Sequence, residues 1–151
     1  MGRRIVITGA AGNVGRTVTE ALEGRHTLAL MDRTTCPGRE VIRVELSDFA
    51  AVLDRMPEAD AVVHLGANPD EAAWQDILTN NIVATYNVFE VARRKGVRRI
   101  VFASTVIRCR RSASGSIGTC GNHPSRMQTM LMPCSRAYIF PSSSPNRLLT
   151  A

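Results

Sequence analysis

Residues 4–15 read Arg-Ile-Val-Ile-Thr-Gly-Ala-Ala-Gly-Asn-Val-Gly, and this stretch decides the fold. Residues 4–9 form a short β-branched run closed by glycine, the pattern of a buried strand. Beyond the turn, Val14, Val18, Ala21 and Leu22 recur at helical spacing, with Gly24 as the stop. Between strand and helix lies Gly9-x-x-Gly12-x-x-Gly15, and each glycine answers a separate demand. Gly9 permits the tight bend, Gly12 lets backbone N–H groups approach a pyrophosphate, and Gly15 lets the helix pack closely on the strand. Asp32 follows 17 residues after Gly15, at the end of the next apolar run, where a carboxylate would accept hydrogen bonds from ribose hydroxyls. Strand, turn, helix and carboxylate together predict a dinucleotide site; the bland alternative is a tight turn with no ligand.

The same alternation continues outward from that stretch. Residues 26–32 and 41–46 are strand-like, and Phe49, Val52, Leu53 and Met56 then mark a helix with Ser47 or Asp48 as N-cap. Residues 61–67 form a fourth strand. From Asp70 onward, Trp74, Ile77, Leu78, Ile82, Tyr86 and Phe89 predict one long helix ending near Gly96. Arg93, Arg94 and Lys95 sit in its last turn, where cations complement the helix dipole. Residues 98–106 form the fifth strand. Continuous apolar strands alternating with helices describe a Rossmann-type, doubly wound α/β fold with a parallel sheet of order 3-2-1-4-5. Its ligand belongs at the carboxyl ends of the strands.

At 151 residues, 44% hydrophobic and 21% charged, the chain has the length and composition of one globular domain. No apolar run reaches the roughly 18–20 residues of a membrane span, and the opening residues lack the uninterrupted core of a signal peptide. The expectation is a cytoplasmic protein with reduced cysteines. The net charge of +6 is unevenly placed: residues 1–106 hold 13 Arg or Lys and all 13 carboxylates, whereas residues 107–151 hold six Arg, eight Ser, three Cys and no carboxylate. The expected division is therefore a Rossmann domain over 1–106 and a basic, irregular tail over 107–151. Such an abrupt shift is what reading a G/C-rich gene out of frame produces, so the tail is taken as a frameshifted or truncated product. Cys109, Cys120, His123 and Cys134 have spacings that match no compact zinc pattern, so no metal is expected. Residues 108–116 could hold a phosphate backbone as a flexible basic arm, but without interleaved aromatics a nucleic-acid role is disfavoured.

The negative charge of Asp32 would repel a 2′-phosphate. Arg33 could pair with one, but no basic residue lies between Gly9 and Gly12 to reinforce it, so NAD is favoured over NADP.

Taken together, Thr8 to Gly15, Asp32, Glu45-Leu46-Ser47-Asp48, His64-Leu65-Gly66-Ala67, Asn80 to Val88 and Val101-Phe102-Ala103-Ser104-Thr105 resemble the NAD-dependent epimerase/dehydratase family, the extended short-chain dehydrogenases/reductases. Asn68-Pro69-Asp70-Glu71 and residues 87–93 are most similar to its uronate- and hexose-oxidising members. The resemblance covers residues 3–106. It implies hydride transfer between NAD and a sugar or nucleotide sugar, and a homodimer packed through the 71–95 helix. It implies that Gly9, Ala11, Gly12, Asn13, Val14 and Gly15 line the pyrophosphate, with Asp32 and Arg33 at the adenosine ribose. Glu45, where the family more often has Asp, and Leu46 would edge the adenine. Leu65, Gly66 and Ala67 would border the nicotinamide ribose, Asn81 would order the strand ends beneath the cofactor, and Ser104 would stand beside it. Thr105 would be the catalytic hydroxyl that hydrogen-bonds the reacting sugar oxygen. His64 is given no proton-transfer role, since a histidine within an apolar strand is usually a satisfied core residue.

The family chemistry also uses a Tyr-x-x-x-Lys pair, in which the ammonium lowers the phenol pKa. The only lysine here is Lys95, and Tyr138 is followed at the fourth place by Ser142. The alternatives for this chain alone are therefore a non-catalytic dinucleotide-binding module or an inactive fragment.

Overall fold

The computed structural model describes the backbone of residues 2–104 and 128–133 and the side chains of residues 2–103. In chain order the elements are β1 (Arg4–Thr8), α1 (Asn13–Leu22), β2 (Thr27–Asp32), β3 (Ile42–Arg43), α2 (Phe49–Arg55), β4 (Ala61–His64), α3 (Trp74–Ile77), a π-helical segment (Leu78–Val83), α4 (Ala84–Arg94), β5 (Arg99–Ser104) and β6 (Gln128–Pro133). The sheet order is β3-β2-β1-β4-β5-β6. The first five strands are parallel in the expected 3-2-1-4-5 arrangement, with Thr8 opposite Met31 on one side and His64 on the other. β6 adds a sixth strand, antiparallel to β5 from Arg99↔Pro133 to Ser104↔Gln128, where no strand is expected from the sequence.

Alternation along β1 explains the two layers. Val6, with Met31, Val62 and Ile100, faces the α2 and α4 side, where Val52, Met56, Val88 and Val91 complete a buried cluster. Ile5 and Ile7, with Leu30 and Val63, face the other side, where Val18 and Leu22 of α1 pack on them. Burying each such side chain contributes roughly 1.5–3 kcal/mol, which is why both sheet faces must be covered. Asp48 caps α2 by accepting from the Ala51 N–H at 3.0 Å, settling the choice between Ser47 and Asp48.

Local detail refines the sequence reading. The third strand is only two residues long, although the Val44 N–H still reaches the Asp32 carbonyl at 2.9 Å. The long helix runs without interruption from Trp74 to Arg94, with a π-helical stretch at Leu78–Val83 joining α3 to α4. Of the apolar residues that mark this helix, Phe89 packs against the core, whereas Trp74, Ile82 and Tyr86 are 67%, 50% and 60% exposed. The core face of α4 is Ala84, Asn87, Val88, Val91 and Ala92. The helix ends as expected near Gly96, whose φ of 69° allows the Val97 N–H to reach the Ala92 carbonyl and the Gly96 N–H to reach that of Arg93.

Candidate functional site: a cleft at the strand switch point

The chain runs outward from β1 to β2 and β3 and then crosses back to β4, so a crevice opens beyond the carboxyl ends of β1 and β4. A cleft of about 260 Å³ occupies that place. On its walls the structure brings together nine residues expected from the sequence: Gly9, Ala11, Gly12, Asp32, Arg33, Leu46, Leu65, Gly66 and Ala67. Thr34, Val44, Asn68 and Asn80 also line it and were not foreseen.

The glycine turn is sterically closed to side chains. Gly9 has φ of +72°, and a Cβ there would lie 2.6 Å from the Gly66 nitrogen. A Cβ on Gly15 would lie 2.1 Å from the Gly9 carbonyl oxygen, so α1 and the turn that follows β1 meet at backbone contact. Gly12 is less tightly enclosed, a Cβ there lying 3.3 Å from the Gly9 carbonyl oxygen, and it stands as the N-cap of the ten-residue α1. No side chain caps that helix and no carboxylate occupies its first turn. Its positive dipole end therefore faces the cleft without a counter-charge from its own first turn. Asn13 and Val14 are exposed in that turn, beside the cleft rather than on its walls, and Gly15 is buried beneath it.

Asp32 faces the turn from the end of β2. One carboxylate oxygen accepts from the Ala11 N–H at 2.9 Å, and the other accepts from the Thr34 N–H at 2.9 Å and its hydroxyl at 3.0 Å. A carboxylate offers about four acceptor positions, so with three in use the group is oriented and has about one left for a further donor. Arg16, four residues into α1, donates through Nε to the Ala11 carbonyl at 2.9 Å and braces the loop from outside. Arg33 is exposed at the rim.

The π segment shapes the opposite wall. Asn81 accepts from the Asn68 N–H at 2.8 Å and donates to the Asn68 carbonyl at 3.0 Å, pinning the loop that follows β4, while Asn80 lines the cleft itself. The buried Asn87 donates to the carbonyls of Leu46 at 3.0 Å and Ser47 at 2.9 Å. These amides hold cleft loops by their backbones, a function that no local pattern of residues around Asn87 or Thr34 announces.

Glu45 is exposed, lies outside the cleft lining and accepts from the Ser47 hydroxyl at 3.4 Å. Ser104 ends β5. Thr105, Tyr138, Cys109, Cys120, His123 and Cys134 lie outside the described residues. Among the described residues no cluster of His, Cys, Asp or Glu has the arrangement of a metal site, and no helix is long and apolar enough to cross a membrane.

Comparison with known proteins agrees with this geometry. Residues 5–110 match the NAD dependent epimerase/dehydratase family. The chain is 42% identical over 103 residues to an L-arabinose 1-dehydrogenase (NAD(P)(+)) of Haloferax volcanii, covering 68% of this chain and 41% of that protein. It is 40% identical over 108 residues to a uronate dehydrogenase of Pseudomonas putida, covering 68% and 40%. Among solved structures, a mutant uronate dehydrogenase of Agrobacterium tumefaciens complexed with NAD superposes with a TM-score of 0.64 at 36% identity, covering 70% of this chain and 42% of that one. A glucuronic acid dehydrogenase of Chromohalobacter salexigens gives 0.65 at 38%, covering 71% and 42%. The chain thus spans about two fifths of the length of the relatives it matches.

Proposed function

Because this chain belongs to the NAD dependent epimerase/dehydratase family, we propose that it binds NAD in the cleft and serves the oxidation of a sugar, with a uronate or an aldose as substrate. The observation that carries the proposal is the bare, glycine-lined N-terminus of α1 facing an oriented Asp32 across the cleft. These groups fit a dinucleotide: an anion needs unpaired N–H groups and a positive dipole end, and a ribose diol needs a fixed acceptor.

Gly9, Ala11 and Gly12, whose own N–H groups are bonded to the Met31 carbonyl, Asp32 and the Gly9 carbonyl, would line the pyrophosphate, and the first-turn N–H groups of Asn13, Val14 and Gly15 would hold it. Asp32 would accept from the adenosine ribose, and its charge disfavours a 2′-phosphate, with Arg33 at the rim. Val44 and Leu46 would flank the adenine, and Glu45 would edge it from outside. Leu65, Gly66 and Ala67 would border the nicotinamide ribose, held in place by Asn81. Bound NAD supplies a hydride acceptor. Ser104 would stand beside the cofactor, and Thr105 would hydrogen-bond the sugar oxygen from which a proton must leave. The exposed Trp74, Ile82 and Tyr86 support pairing with a second copy through the 71–95 helical region.

Calorimetric titration with NAD and NADP tests the binding step, followed by NADH absorbance with a panel of uronates and aldoses. Saturable binding that favours NAD, with NADH formed from one sugar class, is the expected result. No binding by a folded chain overturns the proposal. Binding without turnover favours the second reading, a dinucleotide-binding module, which the lack of any Tyr-x-x-x-Lys pair in this chain supports.

A further inference from the structure

Asn81 and Thr85 lie four residues apart across the junction of the π segment and α4, a spacing that puts two side chains on one helix face. Both reach the same loop. Asn81 holds the backbone of Asn68 through two hydrogen bonds, of 2.8 and 3.0 Å. The Thr85 hydroxyl meets Nε2 of His64 at 3.0 Å. His64 and Asn68 are the two ends of the turn whose middle, Leu65, Gly66 and Ala67, lines the cleft. One helix face therefore grips both ends of that turn.

A third point ties this grip to the glycine turn. Nδ1 of His64 and the Thr8 hydroxyl share a 2.6 Å hydrogen bond, and Thr8 is the residue before Gly9. His64 is 1% exposed, and its ring stacks on Phe102 at 5.6 Å and meets Phe89 edge-on at 6.3 Å, so it has no freedom to swing. A ring fixed by two aromatic contacts and bonded at both nitrogens transmits position well, because interior packing resists small displacements. None of these three side chains lines the cleft.

We propose that Thr85, acting through His64, is a positioning residue for the Leu65–Asn68 turn and hence for the nicotinamide half of the dinucleotide. The inference rests on the NAD-binding reading given above. Its distinguishing feature is that it favours one half of the ligand. Loss of the hydroxyl should loosen the turn at the nicotinamide ribose, while the pyrophosphate loop and Asp32, which hold the ADP part, keep their own contacts.

The test uses the full chain and three variants: Thr85→Val, which removes the hydroxyl at nearly constant shape, Thr85→Ser, which restores it, and Thr8→Val as the second arm. NAD and ADP-ribose are titrated against each by calorimetry. Losing one hydrogen bond's worth of positioning predicts NAD affinity about fivefold weaker in Thr85→Val, with ADP-ribose changed less than about twofold and Thr85→Ser near the parent. Amide hydrogen exchange of residues 65–68, read without ligand, should quicken in Thr85→Val and Thr8→Val while Val62 in β4 stays protected. Equal loss for both ligands would show a merely structural role and overturn the proposal. So would unchanged exchange of the turn. If the parent chain itself binds no NAD, the functional reading fails, and the exchange measurement still decides whether the brace exists.

Discussion

Among the described residues, His64 is the one through which lowering the pH from 7 to 5 should destabilise this protein. Burial lowers its pKa from 6.5 to about 4, because an imidazolium enclosed by Phe89 and Phe102 loses its hydration. A group whose pKa is depressed on folding binds more protons when unfolded. Its contribution is therefore complete above pH 6.5 and is lost progressively as the pH falls toward 4. The full difference corresponds to about 3 kcal/mol, of which about 2 kcal/mol disappears between pH 7 and pH 5. The lowered pKa of Glu90, to about 2 through its hydrogen bonds to Arg93 and Arg94, acts only below its ordinary value of 4.5 and so leaves this window clear. The assay is urea unfolding followed by circular dichroism at both pH values. With a slope near 2 kcal/mol/M, the midpoint should fall by roughly 1 M in the parent chain. His64→Phe keeps the ring stack and removes the titration, so its midpoint, though lower at pH 7, should change much less with pH. A parent midpoint that does not move, or an equal drop in His64→Phe, would refute the reasoning.

Three further outcomes follow from the cleft. Gly15→Ala places a Cβ 2.1 Å from the Gly9 carbonyl oxygen, and overpacking against backbone should cost about 3 kcal/mol, seen as a lowered melting temperature together with lost NAD binding. Asp32→Ala removes the acceptor of the Ala11 N–H and the repulsion of a 2′-phosphate, so calorimetry should show NAD affinity weakened by about tenfold and the preference over NADP narrowed. Asn87→Leu leaves the buried Leu46 carbonyl and its Ser47 neighbour without their donor, and urea unfolding should show a loss of about 2 kcal/mol.

Much of this protein is legible locally. The strand, glycine turn and helix of residues 4–22, and the carboxylate at Asp32, rest on steric rules that act within a few residues. Gly9 adopts positive φ, and Gly15 meets the Gly9–Ala10 backbone of the turn that precedes its helix, contacts between residues close in sequence. The continuous apolar runs such as residues 4–9 and 61–64, alternating with helical segments, likewise point to a parallel sheet covered on both faces. The sequence by itself therefore determined the fold class, the strand order, the location of the cleft and most of its glycine and strand-end walls.

The tertiary structure decided what sequence spacing cannot express. Along the helix whose register changes at Leu78–Val83, Trp74, Ile82 and Tyr86 stand outward and Asn80 reaches the cleft, an assignment of faces that spacing alone left open. Asn87, Asn81 and Thr85 acquire their roles from partners 41, 13 and 21 residues away, so their meaning depends on which loops the sheet brings beside α4. His64 shows the division most plainly. Its apolar strand implies burial, but its bridging of Thr8 and Thr85 exists only because β1, β4 and α4 meet, and hydrogen bonds between distant segments are set by packing rather than by local preference.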